Sequence, residues 1–164
     1  MAIKPSDRAR GYRMEELFQD WLNRMGAPYF YFDQTTFTVP ANLRGLIKRP
    51  DFAIGMPSVG TLAFDVKAKT MRDGTFIIDL DEHKRLMMFE NCFNMTVWFA
   101  VFPPRRAPYC WLFRNRDLVG ERVIRIKGCD CLCFGEENAL MVDHSQDDLM
   151  PAIFAYLHAR LSRI

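Results

Sequence analysis

The chain has 164 residues, of which 49% are hydrophobic and 26% charged, with a formal net charge of +2. That length suits one domain with a core of its own and is short for two. The apolar share excludes disorder as the default state, and the near-neutral balance means that a nucleic-acid partner has to be met by a local basic patch. No run approaches the ~20 apolar residues of a membrane span, and the first residues lack the apolar stretch of a signal peptide. Five cysteines in no secreted-scaffold spacing fit a reduced protein. The expectation is a cytoplasmic chain with no membrane partner.

The first thirteen residues carry Lys4, Arg8, Arg10 and Arg13 against Asp7. They form either a basic arm that touches phosphates or a solvated lead-in to a helix. Met14, Leu17, Phe18, Trp21, Leu22 and Met25 then recur at helical spacing, which predicts an amphipathic helix over Met14–Met25. Gly26 ends it and Pro28 keeps it ended. Glu15 lies roughly 90° from the centre of the apolar stripe, whereas Glu16 points almost directly away from it. Of the two, only Glu15 stands where a carboxylate could reach under a packed sheet.

Tyr29–Val39 (YFYFDQTTFTV) is aromatic and β-branched, which predicts a strand with a turn near Asp33-Gln34. Its alternating aromatics suit a half-buried core strand better than a base-stacking platform. Pro40–Pro50 reads as a loop, with Arg44, Lys48 and Arg49 just ahead of Asp51. Pro50 sets an extended entry into a strand that begins near Asp51. Gly55, Pro57 and Gly60 suit a turn that folds the next strand, Leu62–Lys69, back on it. That next strand alternates strictly: Leu62, Phe64, Val66 and Ala68 on one face, Ala63, Asp65, Lys67 and Lys69 on the other. Asp65 and Lys67 therefore share a face with about 7 Å between Cα atoms, and the hairpin brings Asp51 to them.

Lys69 and Arg72 add positive charge beyond this strand, and Thr75–Ile78 reads as a further short strand. Asp79 or Asp81 suits the cap of a helix over Asp81–Cys92. Leu86, Phe89 and either Cys92 or Phe93 supply its buried stripe, and Glu82, His83, Lys84 and Arg85 its first turn. Met95–Phe102 (MTVWFAVF) is almost wholly apolar and bounded by Pro103-Pro104, as a central strand covered on both faces would be.

Pro50-Asp51 followed by Asp65-Val66-Lys67 resembles the PD-(D/E)XK nuclease superfamily, the restriction-endonuclease-like fold. The resemblance covers roughly residues 11–102. It implies an α/β fold with an αβββαβ core around a mixed central sheet. Within that superfamily, the spacing of Gly11, Glu15, Leu22 and Gly26 is similar to the first helix of archaeal Holliday-junction resolvases, in which the glutamate is catalytic. The resemblance further implies that the carbonyl of Val66 joins Asp51 and Asp65 as a metal ligand. It also implies that a polar residue at the start of the second helix supports the site, for which His83 or Lys84 could serve.

The last third matches no named pattern. The expectation is a single domain of residues 1–164: the arm over 1–13, the core over 11–102 and a β-rich extension over 103–164. Arg105-Arg106 is either a backbone contact or a solvated turn. Tyr109–Phe113 reads as a strand, and Val123–Lys127, Cys129–Phe134 and Ala139–Val142 as a small antiparallel addition. Cys129, Cys131 and Cys133 alternate and match neither structural zinc nor an iron–sulfur site, so reduced thiols are expected. Asp147–Leu161 reads as a closing helix with Leu149, Ile153, Tyr156, Leu157 and Leu161 on one face. Asp147 and Asp148 suit its N-terminus, and Arg160 and Arg163 its C-terminus.

The residue types suit phosphodiester hydrolysis. Asp51 and Asp65 are hard oxygen donors for Mg²⁺ or Mn²⁺. Glu15 could hold a second ion or a metal-bound water, and Lys67 could stabilise charge at the scissile phosphate. Arg44, Lys48, Arg49, Lys69 and Arg72 could hold the flanking backbone. The expected function is a divalent-metal-dependent DNA endonuclease, structure-specific in the manner of a Holliday-junction resolvase. A restriction-type or mobile-element nuclease is the close competitor. The alternative is a module of the same fold that binds nucleic acid, or assembles on it, without cutting. Two strands need two sites, so a homodimer is the corresponding expectation.

Overall fold

The computed structural model describes residues 5–35, 39–57 and 60–161. Helix α1 runs over Pro5–Met25, nine residues longer at its start than the apolar stripe requires. Proline is preorganised for a first helical turn, and Arg8, Arg10 and Arg13 continue the helix as exposed residues. The basic segment is thus the solvated lead-in of α1. Lys4 lies outside the described residues. Gly26 closes α1 at φ +63°: its N–H bonds the Asn23 carbonyl and the Ala27 N–H bonds that of Leu22, both at 3.1 Å. This left-handed cap favours glycine.

Strands β1 (Tyr29–Tyr31), β2 (Phe52–Met56), β3 (Gly60–Lys67) and β4 (Thr75–Asp79) follow. Helix α2 is Leu80–Phe93 and strand β5 is Thr96–Val101. Then come β6 (Tyr109–Arg114), β7 (Arg122–Ile126), β8 (Cys129–Gly135), β9 (Leu140–Asp143) and helix α3 (Leu149–Leu161). The main sheet has the order β1-β2-β3-β5-β6-β9 and a second, three-stranded sheet the order β4-β8-β7. The main sheet is mixed: β3 and β5 are parallel, and β2–β3 and β5–β6 are antiparallel.

Strand β5 shows how the layers are made. Trp98, Ala100 and Phe102 face one core with Phe18, Trp21 and Leu22 of α1 and Leu149, Ile153 and Tyr156 of α3. Val97, Phe99 and Val101 face the other, with Leu86 and Phe89 of α2 and Phe76, Ile78, Leu132 and Phe134 of the small sheet. Phe18 is fully buried, with its ring centroid 5.3 Å from those of both Phe52 and Phe64. Burial of such a side chain contributes about 1.5–3 kcal/mol. Arg160 and Leu161 are the last residues of α3, and Arg163 lies outside the described residues.

Four sequence expectations shift. Strand β1 stops at Tyr31 because the Asp33 carboxylate accepts the Thr35 N–H at 2.8 Å and turns the chain; residues 36–38 lie outside the described ones. This strand is an edge, with Phe30 54% and Tyr31 46% exposed, where a core strand was expected. Thr75–Asp79 pairs with Cys129–Gly135 in the small sheet. Leu140–Asp143, expected in that addition, instead extends the main sheet beside β6. Cys92 and Phe93 are exposed: they close the last turn of α2, where the Phe93 ring still lies 4.7 Å from that of Phe89. Among the described residues, no helix is long and apolar enough to cross a membrane.

Candidate active site

The β2–β3 hairpin pairs Phe52 with Phe64, which sets Asp51 beside Asp65 at the end of the sheet. Asp51 is fixed through its backbone and its carboxylate together. Its N–H donates to the Phe64 carbonyl at 2.8 Å, its carbonyl accepts the Phe32 N–H at 2.9 Å, and its Oδ2 accepts the Val66 N–H at 2.7 Å. Asp65 is fully buried and Asp51 is 8% exposed. Phe64 and Val66 pack with α1, so alternation turns Asp65 and Lys67 to the α2 side. Lys67 Nζ contacts Asp65 Oδ2 directly.

Two further side chains complete the cluster. Lys48 Nζ contacts Asp65 Oδ1 and lies 2.7 Å from Glu82 Oε1, while Lys67 Nζ is 3.0 Å from the same Glu82 oxygen. Asp65 and Glu82 are thus bridged twice, by an ammonium on each side. Glu82 gets there because Asp79 caps α2, accepting the Glu82 N–H at 3.0 Å, which puts Glu82 in the first turn facing β3. Lys48 gets there because its own N–H bonds the Arg85 carbonyl at 3.2 Å.

The charges perturb one another. Burial and the neighbouring Asp65 charge push the Asp51 carboxyl up to about 7, against the pull of Lys67, Lys48 and the Val66 amide. Burial also opposes ionisation of Glu82, but Lys67, Lys48 and Lys69 hold its carboxyl well below the usual range. Burial disfavours the Lys67 ammonium, yet Asp65, Glu82 and Asp51 outweigh it and keep the group protonated. Two carboxylates at a buried sheet end, one of them reluctant to ionise, are a place where added positive charge is stabilising. Among the described residues, no three His, Cys, Asp or Glu side chains stand close enough to cage a metal ion by themselves. Mg²⁺ needs no such cage: one or two carboxylates, retained waters and substrate phosphate suffice. Asp51, Asp65 and the Val66 carbonyl fit that demand.

The other expected residues are distributed around this cluster. Glu15, on α1, lies across the sheet: its Oε2 accepts the Tyr31 hydroxyl at 2.8 Å, in a groove lined also by Tyr12 and Phe52. Burial and this bond to Glu15 raise the Tyr31 hydroxyl well above its ordinary range, with Asp51 adding to the effect. Tyr31 thus bonds Glu15 and also feels the Asp51 charge. Arg44 is exposed and bonds the Val39 carbonyl. Arg49 bonds the Thr35 carbonyl at 3.0 Å. Lys69 bonds the Ile77 carbonyl at 3.0 Å, and burial lowers its ammonium. Arg72 is exposed in the turn before β4.

Of the two supporting candidates, His83 is buried against Asn115, Nδ1 to Oδ1 at 2.9 Å. Lys84 is exposed, in a cleft between α2 and Cys129-Asp130 that Glu82 also lines. The helix-start residue at the cluster is Glu82, which sequence reasoning passed over. A signal was available: Glu82 stands four residues before Leu86 and seven before Phe89, on the buried stripe. Nothing in the spacing foretold that Lys48 would pair with Asp65, since that contact depends on the path of a loop.

No protein-family model matches this chain, and no curated protein matches it in sequence. Its fold is similar to that of Hjc, a Holliday junction resolvase from Archaeoglobus fulgidus. The two superpose with a TM-score of 0.52 over 78% of this chain and 85% of the resolvase, at 19% identity. The fold is therefore resolvase-like, a mixed α/β sheet with helices on both faces.

Proposed function

We propose that the protein is a divalent-metal-dependent endonuclease that hydrolyses phosphodiester bonds in DNA, with branched DNA such as a four-way junction as its substrate. The observation that carries this is the cluster itself: Asp51 and Asp65 brought together at the end of a β-hairpin, with Lys67 on the face of Asp65. The resolvase-like fold supports it. A binding-only descendant has no physical need to hold buried carboxylates against buried lysines, because such clusters are costly relative to apolar packing.

Asp51, Asp65 and the Val66 carbonyl would hold Mg²⁺ or Mn²⁺. The cation, when bound, would lower the pKa of water and neutralise charge on phosphate oxygens. Lys67, kept protonated, delivers a fixed positive charge beside the scissile phosphate rather than acting as a base. Asp51 and Val66 are locked to each other by the Val66 N–H bond, so the two ligand positions move as one unit. Glu15 and Tyr31 would approach the reacting group from the α1 side. Arg44, Arg49 and Arg72 would contact flanking phosphates. A homodimer would give one site per strand.

The test is cleavage of linear duplex, single strand, flap, four-way junction and structured RNA, each with Mg²⁺, Mn²⁺ or chelator. Wild type is compared with Lys67→Ala and Asp51→Ala, folding being checked by circular dichroism. Metal-dependent cutting of the junction, lost in both variants, is expected. Cutting that survives both substitutions would place the active site elsewhere, and intact DNA binding with no cutting would favour the binding module.

A further inference from the structure

Each oxygen of Asp65 is in contact with an ammonium group: Lys48 hydrogen-bonds Oδ1 and Lys67 forms an ion pair at Oδ2. The same two lysines share Glu82 Oε1. Asp65 is fully buried, so no further face of its carboxylate is open to water. A divalent cation that approaches an Asp65 oxygen therefore meets an ammonium already in contact with it, and like charges at that distance compete for the carboxylate.

The two lysines are not equally able to leave. Lys67 closes β3, in register with Val101 of β5, and its carbonyl accepts the Phe102 N–H at 2.7 Å. Its side chain starts from the same strand face as Asp65, two residues away, so its stem is held beside that carboxylate by the paired backbone. Lys48 belongs to the loop ahead of β2. Its side chain is 23% exposed against 13% for Lys67, and a lysine stem has several rotatable bonds with which to swing outward.

We infer that Lys48 is an internal counter-cation: its ammonium occupies the gap between Asp65 and Glu82 in the metal-free protein and is displaced when a divalent cation binds. The inference rests on the nuclease reading of the site and concerns how that site is loaded. Metal binding is then an exchange of one positive charge for two, weaker than binding to an empty carboxylate pair. The displaced ammonium is delivered to the mouth of the site, where a phosphate of the DNA strand would receive it. Metal and DNA would each promote binding of the other, since the affinity change is reciprocal.

The experiment is calorimetric titration of Mn²⁺ into the full chain without DNA, for wild type, Lys48→Met and Lys69→Met. Methionine keeps the length of the stem and removes the charge. Displacement predicts at least about tenfold tighter Mn²⁺ binding by Lys48→Met, and less than about threefold tighter by Lys69→Met, which removes a nearby charge that does not touch Asp65. In parallel, wild type is reductively methylated with and without Mn²⁺, and the modified lysines are mapped by mass spectrometry. Lys48 should be protected with chelator and modified with Mn²⁺. Labelling decides alone if Lys48→Met fails to fold. Mn²⁺ binding to wild type with unchanged affinity in Lys48→Met, or equal Lys48 labelling in both conditions, overturns the inference and leaves the nuclease reading standing. No Mn²⁺ binding by either protein at millimolar concentration overturns both.

Discussion

Replacing Asp51 with asparagine should make the metal-free protein more stable at neutral and alkaline pH while abolishing cleavage. Burial and the Asp65 charge raise the Asp51 carboxyl from 3.8 to about 7. The folded state therefore prefers the protonated form. The stability that depends on this proton is fully present below the unfolded value near 3.8, falls as pH rises towards about 7, and is absent above it. A rise of about three units corresponds to an upper limit of about 4 kcal/mol at 1.36 kcal/mol per unit. Relaxation of the loop around Asp51 reduces the expected gain to about 1–3 kcal/mol. The asparagine carbonyl can still accept the Val66 N–H, so the substitution removes charge and little else. Urea denaturation of both proteins between pH 4 and 8, in chelator, measures the effect. The gap should be widest at pH 8 and close towards pH 4, and Mg²⁺ should narrow it at pH 8 by stabilising wild type alone. An asparagine variant no more stable than wild type at pH 8, or a gap that ignores pH, would refute the electrostatic reasoning.

Glu82→Gln should do the reverse. Its carboxyl is held low by Lys67, Lys48 and Lys69 despite burial, so its contribution is present above its unfolded pKa and lost as pH falls through the folded one. The variant should lose about 1–3 kcal/mol at pH 7 in the same assay, with the difference fading in acid. Glu15→Gln should reduce cleavage at least about tenfold while thermal stability stays within about 0.5 kcal/mol of wild type, since the residue is half-buried and off the core. Tyr31→Phe, which removes the hydroxyl bonded to Glu15, should reduce cleavage less. Unchanged kcat in Glu15→Gln would remove Glu15 from the site. His83→Ala should cost about 1–3 kcal/mol by taking from the buried Asn115 Oδ1 its imidazole partner, with cleavage of the remaining folded protein intact, as chemical denaturation and single-turnover rates would show.

Local pattern alone determined much of this protein. The apolar stripe of α1 and its glycine cap, the alternation of Leu62–Lys67, and the uninterrupted run that became β5 each follow from side-chain periodicity. Periodicity is written into neighbouring residues. The shared face of Asp65 and Lys67, and the approach of Asp51 to them across a short hairpin, were legible for the same reason. Tertiary structure decided the rest. Whether Thr75–Asp79 joined the main sheet or paired with Cys129–Gly135 depended on partners more than 50 residues away, and both choices satisfy the same alternation. Tyr29–Tyr31 became an exposed edge because edge and centre differ in what lies beyond them, which a strand's own residues do not encode. The site is completed by Lys48 from a loop and Glu82 from a helix, side chains 34 residues apart in sequence that meet only over Asp65. Three elements have to pack before that charge cluster exists, and its buried, mutually neutralising chemistry belongs to the packing rather than to any one stretch of the chain.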